Sequence, residues 1–77
     1  MPMPPTADEA ARAVVAKAII AYRRNTLTQI TWDAPFRTFP EAEWITRMAC
    51  QLTKKPVPEF IPVTPMALLQ YLLRVQP

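Results

Sequence analysis

The chain has 77 residues, a net charge of +3, and no histidine, glycine or serine, and Cys50 is its one cysteine. These absences remove the usual proton shuttle and metal ligand, the glycine-rich phosphate loop and the commonest hydroxyl nucleophile. With 51% hydrophobic and 19% charged residues, the chain is typical of a small globular protein. The composition therefore favours a single domain, residues 1–77, that binds rather than catalyses.

The first segments are an extended arm and a helix. Three prolines within residues 1–5 predict the arm, because proline disfavours helix at and before its own position. Thr6 and Glu9 have the spacing of a capping box, which predicts a first helix running to about Arg24. One face of this helix is apolar. The cations opposite that face are Arg12, Lys17, Arg23 and Arg24. Ile20 lies among the cations, so we expect it to be open to a partner.

Residues 26–32 are mostly β-branched, bulky or aromatic, which is typical of a strand. The side chains that would then point the same way are Thr28, Ile30 and Trp32. The only other candidate strand is the run around residues 60–63, where prolines restrict pairing to a sheet edge. A short two-stranded element therefore stays open. Because glycine is absent, Asn25 is the best candidate for a left-handed backbone position.

Two more helices are predicted to begin at threonine caps followed by proline. After a loop over residues 33–39, Thr38 and Glu41 repeat the capping-box spacing and open a helix to about Lys54. Its predicted apolar face comprises Trp44, Ile45, Met48, Ala49 and Leu52. Thr64 and the proline after it open the last helix, which runs to about residue 75 and is apolar over most of its circumference.

Between these two helices, residues 56–63 contain three prolines and several large apolar side chains. Proline at this density predicts an extended, stiff segment. Its apolar content favours a strap that lies across helices over a solvated linker. The predicted fold class is therefore mostly α: a small three-helix domain with a proline-rich extended strap between the second and third helices.

Candidate chemistry is sparse. Cys50 has Lys54 four residues on, which could lower its pKa, but no histidine can act as its base. We therefore interpret Cys50 as a small apolar residue and the protein as not an enzyme. Six scattered carboxylates make no convergent metal set, and no cofactor motif is present. The start of the chain lacks an export-signal pattern and the single thiol suits a reducing compartment, so we expect a soluble cytoplasmic protein without a membrane segment.

Protein binding is the function that the sequence favours. Three features predict more apolar surface than one small core can bury: Ile20, the third helix, which is apolar on most sides, and the strap. We expect the partner to be another protein or assembly, held by apolar anchors with cations at the rim. The predicted partner-binding residues are Ile20, Arg23, Arg24, Trp32, Phe36, Phe39 and Tyr71. Accessory subunits, adaptors and small phage- or plasmid-encoded inhibitors of larger machines have this profile.

Two alternatives stay open. The first is a small basic nucleic-acid-binding regulator, whose affinity would fall steeply with salt. Its contacts would come from Arg12, Lys17, Arg23 and Arg24. The second is a homodimer joined through the third helix, residues 64–76, because a helix that is apolar on most sides often meets another chain.

Overall fold

The computed structural model describes residues 3–76 and contains three helices, α1 (Ala7–Arg23), α2 (Phe39–Thr53) and α3 (Pro65–Arg74). Residues 3–76 contain no strand, so the optional two-stranded element does not form there. The mostly α, three-helix prediction is confirmed. Of the predicted arm, residues 3–5 are exposed and non-helical, and Met1 and Pro2 lie outside the described residues.

Each helix begins at a threonine whose hydroxyl accepts the backbone N–H three residues further on. The distances are 3.1 Å for Thr6 to Glu9, 3.1 Å for Thr38 to Glu41 and 3.0 Å for Thr64 to Ala67. Such a cap satisfies one of the amide donors that the first turn leaves unpaired. A proline also lies in the first turn of α2 and of α3, where its missing N–H costs nothing.

The C-terminal caps of α1 and α2 are left-handed residues that carry a Cβ atom. They are Arg24, with φ of 55°, and Lys54, with φ of 58°. The prediction that Asn25 takes this conformation is wrong, because the cap must be the residue at which the helix stops. Asn25 instead closes a turn, and its side-chain Oδ1 accepts the Leu27 N–H at 2.9 Å. A left-handed conformation costs a residue with a Cβ roughly 1 kcal/mol.

The core lies between α1 and the other two helices, which contact each other less. It is built from small and aliphatic side chains of all three helices, with Phe36 from the α1–α2 loop. The buried face of α2 is rotated from the predicted one: Ala42, Thr46 and Cys50 are buried, whereas Trp44 and Leu52 are exposed at its edge. There the ring of Trp44 packs against Tyr22 of α1, with 5.4 Å between ring centroids.

The α1–α2 loop, residues 24–38, is tied to the strap and to the start of α3. The Phe36 N–H donates to the Val63 carbonyl at 2.7 Å, and the Met66 N–H donates to the Trp32 carbonyl at 2.9 Å. Thr28 to Trp32 still shows the predicted alternation, with every second residue half-buried. Both segments contain prolines, which have no N–H to donate, so these two bonds do not extend into a ladder.

Candidate protein-binding surface

The strap turns one row of apolar side chains toward solvent. Val57, Phe60 and Val63 are 40%, 83% and 57% exposed, whereas Ile61 between them packs against the core. An extended proline-rich chain has three residues per turn, which is the spacing of this exposed row. The strap therefore uses only part of its apolar surface inside the domain.

A groove of about 500 Å³ lies between the strap and α3. Its walls include Pro56 and Phe60 from the strap and Tyr71 and Arg74 from α3. The Tyr71 hydroxyl donates a hydrogen bond to the Pro56 carbonyl, which fixes the beginning of the strap to α3. Desolvation raises the pKa of the Tyr71 phenol, so it remains a protonated donor at neutral pH.

A second apolar pocket, of about 260 Å³, lies where the α1–α2 loop meets α2. Phe36, Ala42 and Val63 form part of its wall, together with Phe39. Phe39 is the first residue of α2 and is 60% exposed, because the start of the helix projects past the core. The hydrogen bond from the Phe36 N–H to the Val63 carbonyl joins the loop to the end of the strap at this pocket.

A buried ion pair stands beside a third, more polar pocket. Nε and Nη2 of Arg23 donate to the two carboxylate oxygens of Glu41 at 3.0 and 3.1 Å, and their side chains are 15% and 3% exposed. The backbone N–H of Arg37 donates to Glu41 Oε1 at 2.9 Å. The hydrogen bond from Arg23 lowers the pKa of Glu41 most, the Arg37 N–H adds to this, and burial opposes it. Glu41 is therefore ionised, and it fixes α1, the loop and α2 together.

The predicted anchors fall into different settings. Phe39 is exposed, whereas Phe36 is buried in the core and reaches the surface only as pocket wall. Tyr71 is half-buried in the groove beside the strap. Ile20 is half-buried. Trp32 is half-buried against the core, with the guanidinium of a neighbouring arginine 5.0 Å from its ring centroid.

The two predicted rim charges also differ. Arg23 is committed to Glu41, whereas Arg24 is exposed at the left-handed cap of α1. The structure brings Arg23, Phe36 and Phe39 together around the end of the α1–α2 loop. Tyr71 lines the separate groove beside the strap.

Sequence reasoning missed two contributors to this surface. Arg37 was not among the predicted partner-binding residues, although it lines both pockets at the end of the loop. Glu41 was explained by helix capping alone, which concealed its ion pair with a residue 18 positions earlier. The spacing of three between Val57, Phe60 and Val63 was a usable signal, because it matches the period of an extended proline-rich segment.

Cys50 has the properties of a core residue. Its side chain is buried, and desolvation raises the pKa of its thiol. The cation that opposes this shift is Lys55 rather than Lys54, and its ammonium also donates to the Leu72 carbonyl. A thiol in this setting is a poor nucleophile. Within residues 3–76, no three carboxylates or thiols are placed to hold a metal ion.

Comparisons with known proteins return nothing from which a function can be transferred. No family model matches this chain, and neither the curated proteins nor the solved structures give a significant match. Within the described part of the chain, no helix is both long enough and apolar enough to cross a bilayer.

Proposed function

We propose that this protein acts without catalysis, by binding another protein in the cytoplasm as an accessory subunit, adaptor or small inhibitor. One observation carries the proposal: Phe60, Val63 and Phe39 stay exposed on a domain whose three helices already enclose a core. Single exposed apolar residues are ordinary, but a set gathered on one strap and the adjoining helix start is typical of an interaction site. Aromatic side chains are also frequent among the residues that dominate binding energy.

Nucleic-acid binding has less support, because two of its four predicted cations form ion pairs with carboxylates of the same chain. Arg12 pairs with Asp8 at 2.8 Å, and Arg23 pairs with the buried Glu41. The other two predicted cations are Lys17 and Arg24, and two positive charges are few for binding phosphate groups. Electrophoretic mobility shifts at about 50 and 200 mM salt check this. We expect no shift at either salt concentration, and tight, salt-sensitive binding would restore the alternative.

A homodimer through α3 also has less support. Leu68, Leu69 and Leu72 are buried within the domain, which leaves Leu73 as the exposed leucine of α3. One such side chain is little surface for a stable interface, which commonly buries about 800 Å² on each partner. Sedimentation at two protein concentrations should give the same monomeric mass. A mass that doubles at the higher concentration would favour the homodimer.

The proposal is tested by capturing partners from a lysate of the source organism and comparing surface variants by quantitative mass spectrometry. Phe39→Ser and Phe60→Ser each remove an exposed anchor from the candidate surface. Leu27→Ser is the matched control, because Leu27 is also highly exposed but lies in the α1–α2 loop and lines neither apolar pocket. We expect a partner that the wild type and the control retain and that at least one phenylalanine variant loses. Equal capture by all four proteins would contradict the proposal.

A further inference from the structure

The structure points to a two-part docking site at the end of the α1–α2 loop, and we propose that it binds a peptide segment with an acidic side chain next to a large apolar one. The loop residues Pro35, Phe36 and Arg37 form the wall between the two parts, because they line a polar pocket on one side and an apolar pocket on the other. This inference rests on the proposed protein-binding function and names the chemistry of the partner.

The polar part is a pocket of about 170 Å³ lined by Arg23 and Arg37, with Gln29 and Thr31 beside them. Glu41 binds Nε and Nη2 of Arg23 and leaves Nη1 without a partner in that carboxylate. The single negative charge of Glu41 therefore faces two positive charges, those of Arg23 and Arg37. No carboxylate within residues 3–76 forms an ion pair with the Arg37 side chain. The pocket thus has one uncompensated positive charge.

The geometry of the polar pocket suits a carboxylate. One liquid water occupies about 30 Å³, so a space of 170 Å³ admits a carboxylate with its stem. Arg23 is held in place by two hydrogen bonds, and the Arg37 backbone is held by a third. The fixed guanidinium of Arg23 is suited to bind a carboxylate through a short, charge-assisted hydrogen bond, with little further loss of conformational freedom. The Arg37 side chain is exposed at the same pocket and adds the second positive charge.

The apolar part is the pocket of about 260 Å³ in which Phe39 and Val63 are largely exposed. Its volume suits a leucine- or phenylalanine-sized side chain. Because the two pockets share the three-residue wall, one short extended segment can reach both. The net charge of +3 on the whole chain also favours approach of an acidic partner.

The test is selection of a randomised linear peptide library, displayed on phage, against the folded full-length chain. We expect the selected peptides to be enriched in Asp or Glu within two positions of a large apolar residue. Binding of a selected peptide, measured by fluorescence anisotropy, should weaken at least tenfold in Arg37→Glu and in Phe39→Ser. It should change less than threefold in Arg47→Glu, an exposed arginine on α2 that lines neither pocket. A charge-swapped peptide, with Lys for its acidic residue, should bind Arg37→Glu better than it binds the wild type.

Three results would overturn the inference. The first is selected peptides without acidic enrichment, the second is unchanged binding to Arg37→Glu, and the third is no selected peptide at all. If peptides instead depend on Phe60 and the groove beside the strap, the proposed function stands and only this docking site is wrong. If selection fails and lysate capture also yields no partner, the proposed function fails with it. Circular dichroism of each variant separates lost binding from lost folding.

Discussion

The largest effect on stability is expected from breaking the buried ion pair between Arg23 and Glu41. Glu41→Gln keeps the size of the side chain but removes the charge that satisfies Arg23 through two hydrogen bonds and the Arg37 amide through a third. Removing one partner of a buried pair typically costs about 3–5 kcal/mol. Arg23 keeps some access to water, and the glutamine retains one acceptor oxygen, so we expect the lower end, about 3 kcal/mol. For a domain of 77 residues, the whole free energy of unfolding is about 4–12 kcal/mol, so this loss is a large part of it.

Thermal and urea unfolding, followed by circular dichroism at 222 nm, measure this change. A loss of about 3 kcal/mol corresponds to a fall in Tm of about 12–24 °C for a domain of this size. Glu43→Gln is the matched control, because Glu43 lies two residues further along the same helix and pairs with Arg47 at 3.7 Å on the exposed face. That exposed pair should be worth less than about 1 kcal/mol. A similar, small effect of both substitutions would refute the account of the pair.

The same carboxylate predicts a pH dependence. The folded-state pKa of Glu41 lies below its ordinary value of 4.5, so its contribution is fully present above that value. The contribution is lost as the pH falls from 4.5 toward the folded-state pKa. The difference in unfolding free energy between wild type and Glu41→Gln should therefore be constant from pH 6 to 8 and shrink below pH 4.5. A difference that stays constant down to pH 2 would show that the carboxylate charge is not responsible.

Four further predictions concern single residues. Thr46 has a buried hydroxyl without a hydrogen-bond partner in the described structure, so Thr46→Val should raise the free energy of unfolding by about 1 kcal/mol. Thr53→Val should destabilise by a similar amount, because its hydroxyl donates to a backbone carbonyl at 2.8 Å; two changes of equal sign in urea unfolding would argue against this account. At the left-handed cap, the Lys54→Gly variant should be about 1 kcal/mol more stable than the Lys54→Ala variant. At Lys17, inside α1, the alanine variant should instead be the more stable of the two. The same order of stability at both sites would contradict the strain assigned to the cap. Iodoacetamide should modify Cys50 only after unfolding, and rapid modification of the native protein would show an accessible thiolate.

Helix boundaries were predictable because they depend on local chemistry. A threonine with glutamate three residues later, or with proline in the following turn, marks each helix start in the sequence, and the predicted starts at Thr6, Thr38 and Thr64 are confirmed as caps. The predicted ends at about residues 24, 54 and 75 coincide with the observed C-cap residues. What the local pattern did not reveal is that two of these caps are left-handed.

The rotation of α2 could not be predicted from hydrophobicity alone. A tryptophan scores as core, yet Trp44 lies at the edge of the helix, where it packs on Tyr22 and keeps part of its ring in water. Thr46 scores as polar, yet it is buried between the helices. Which face turns inward depends on the neighbouring helix, and that information is not contained in a single segment.

The candidate surface was predictable only in part for the same reason. Phe39 and Arg23 could be identified as candidate residues from their types, but the pairing of Arg23 with Glu41 requires α1 to pack on α2. The apolar pocket brings Phe36 beside Val63, although 27 positions separate them in the chain. Contacts of this range come from tertiary packing, which composition and spacing do not specify.

The central claim, that exposed phenylalanine side chains bind a protein partner, is tested most directly by calorimetry with a partner recovered by capture. Replacing the anchor that contacts this partner, Phe39 or Phe60, by alanine should weaken binding at least tenfold, since a central aromatic anchor contributes about 2 kcal/mol or more. Leu27→Ala should change the dissociation constant less than twofold. Equal affinities for the wild type and all three variants would contradict the claim.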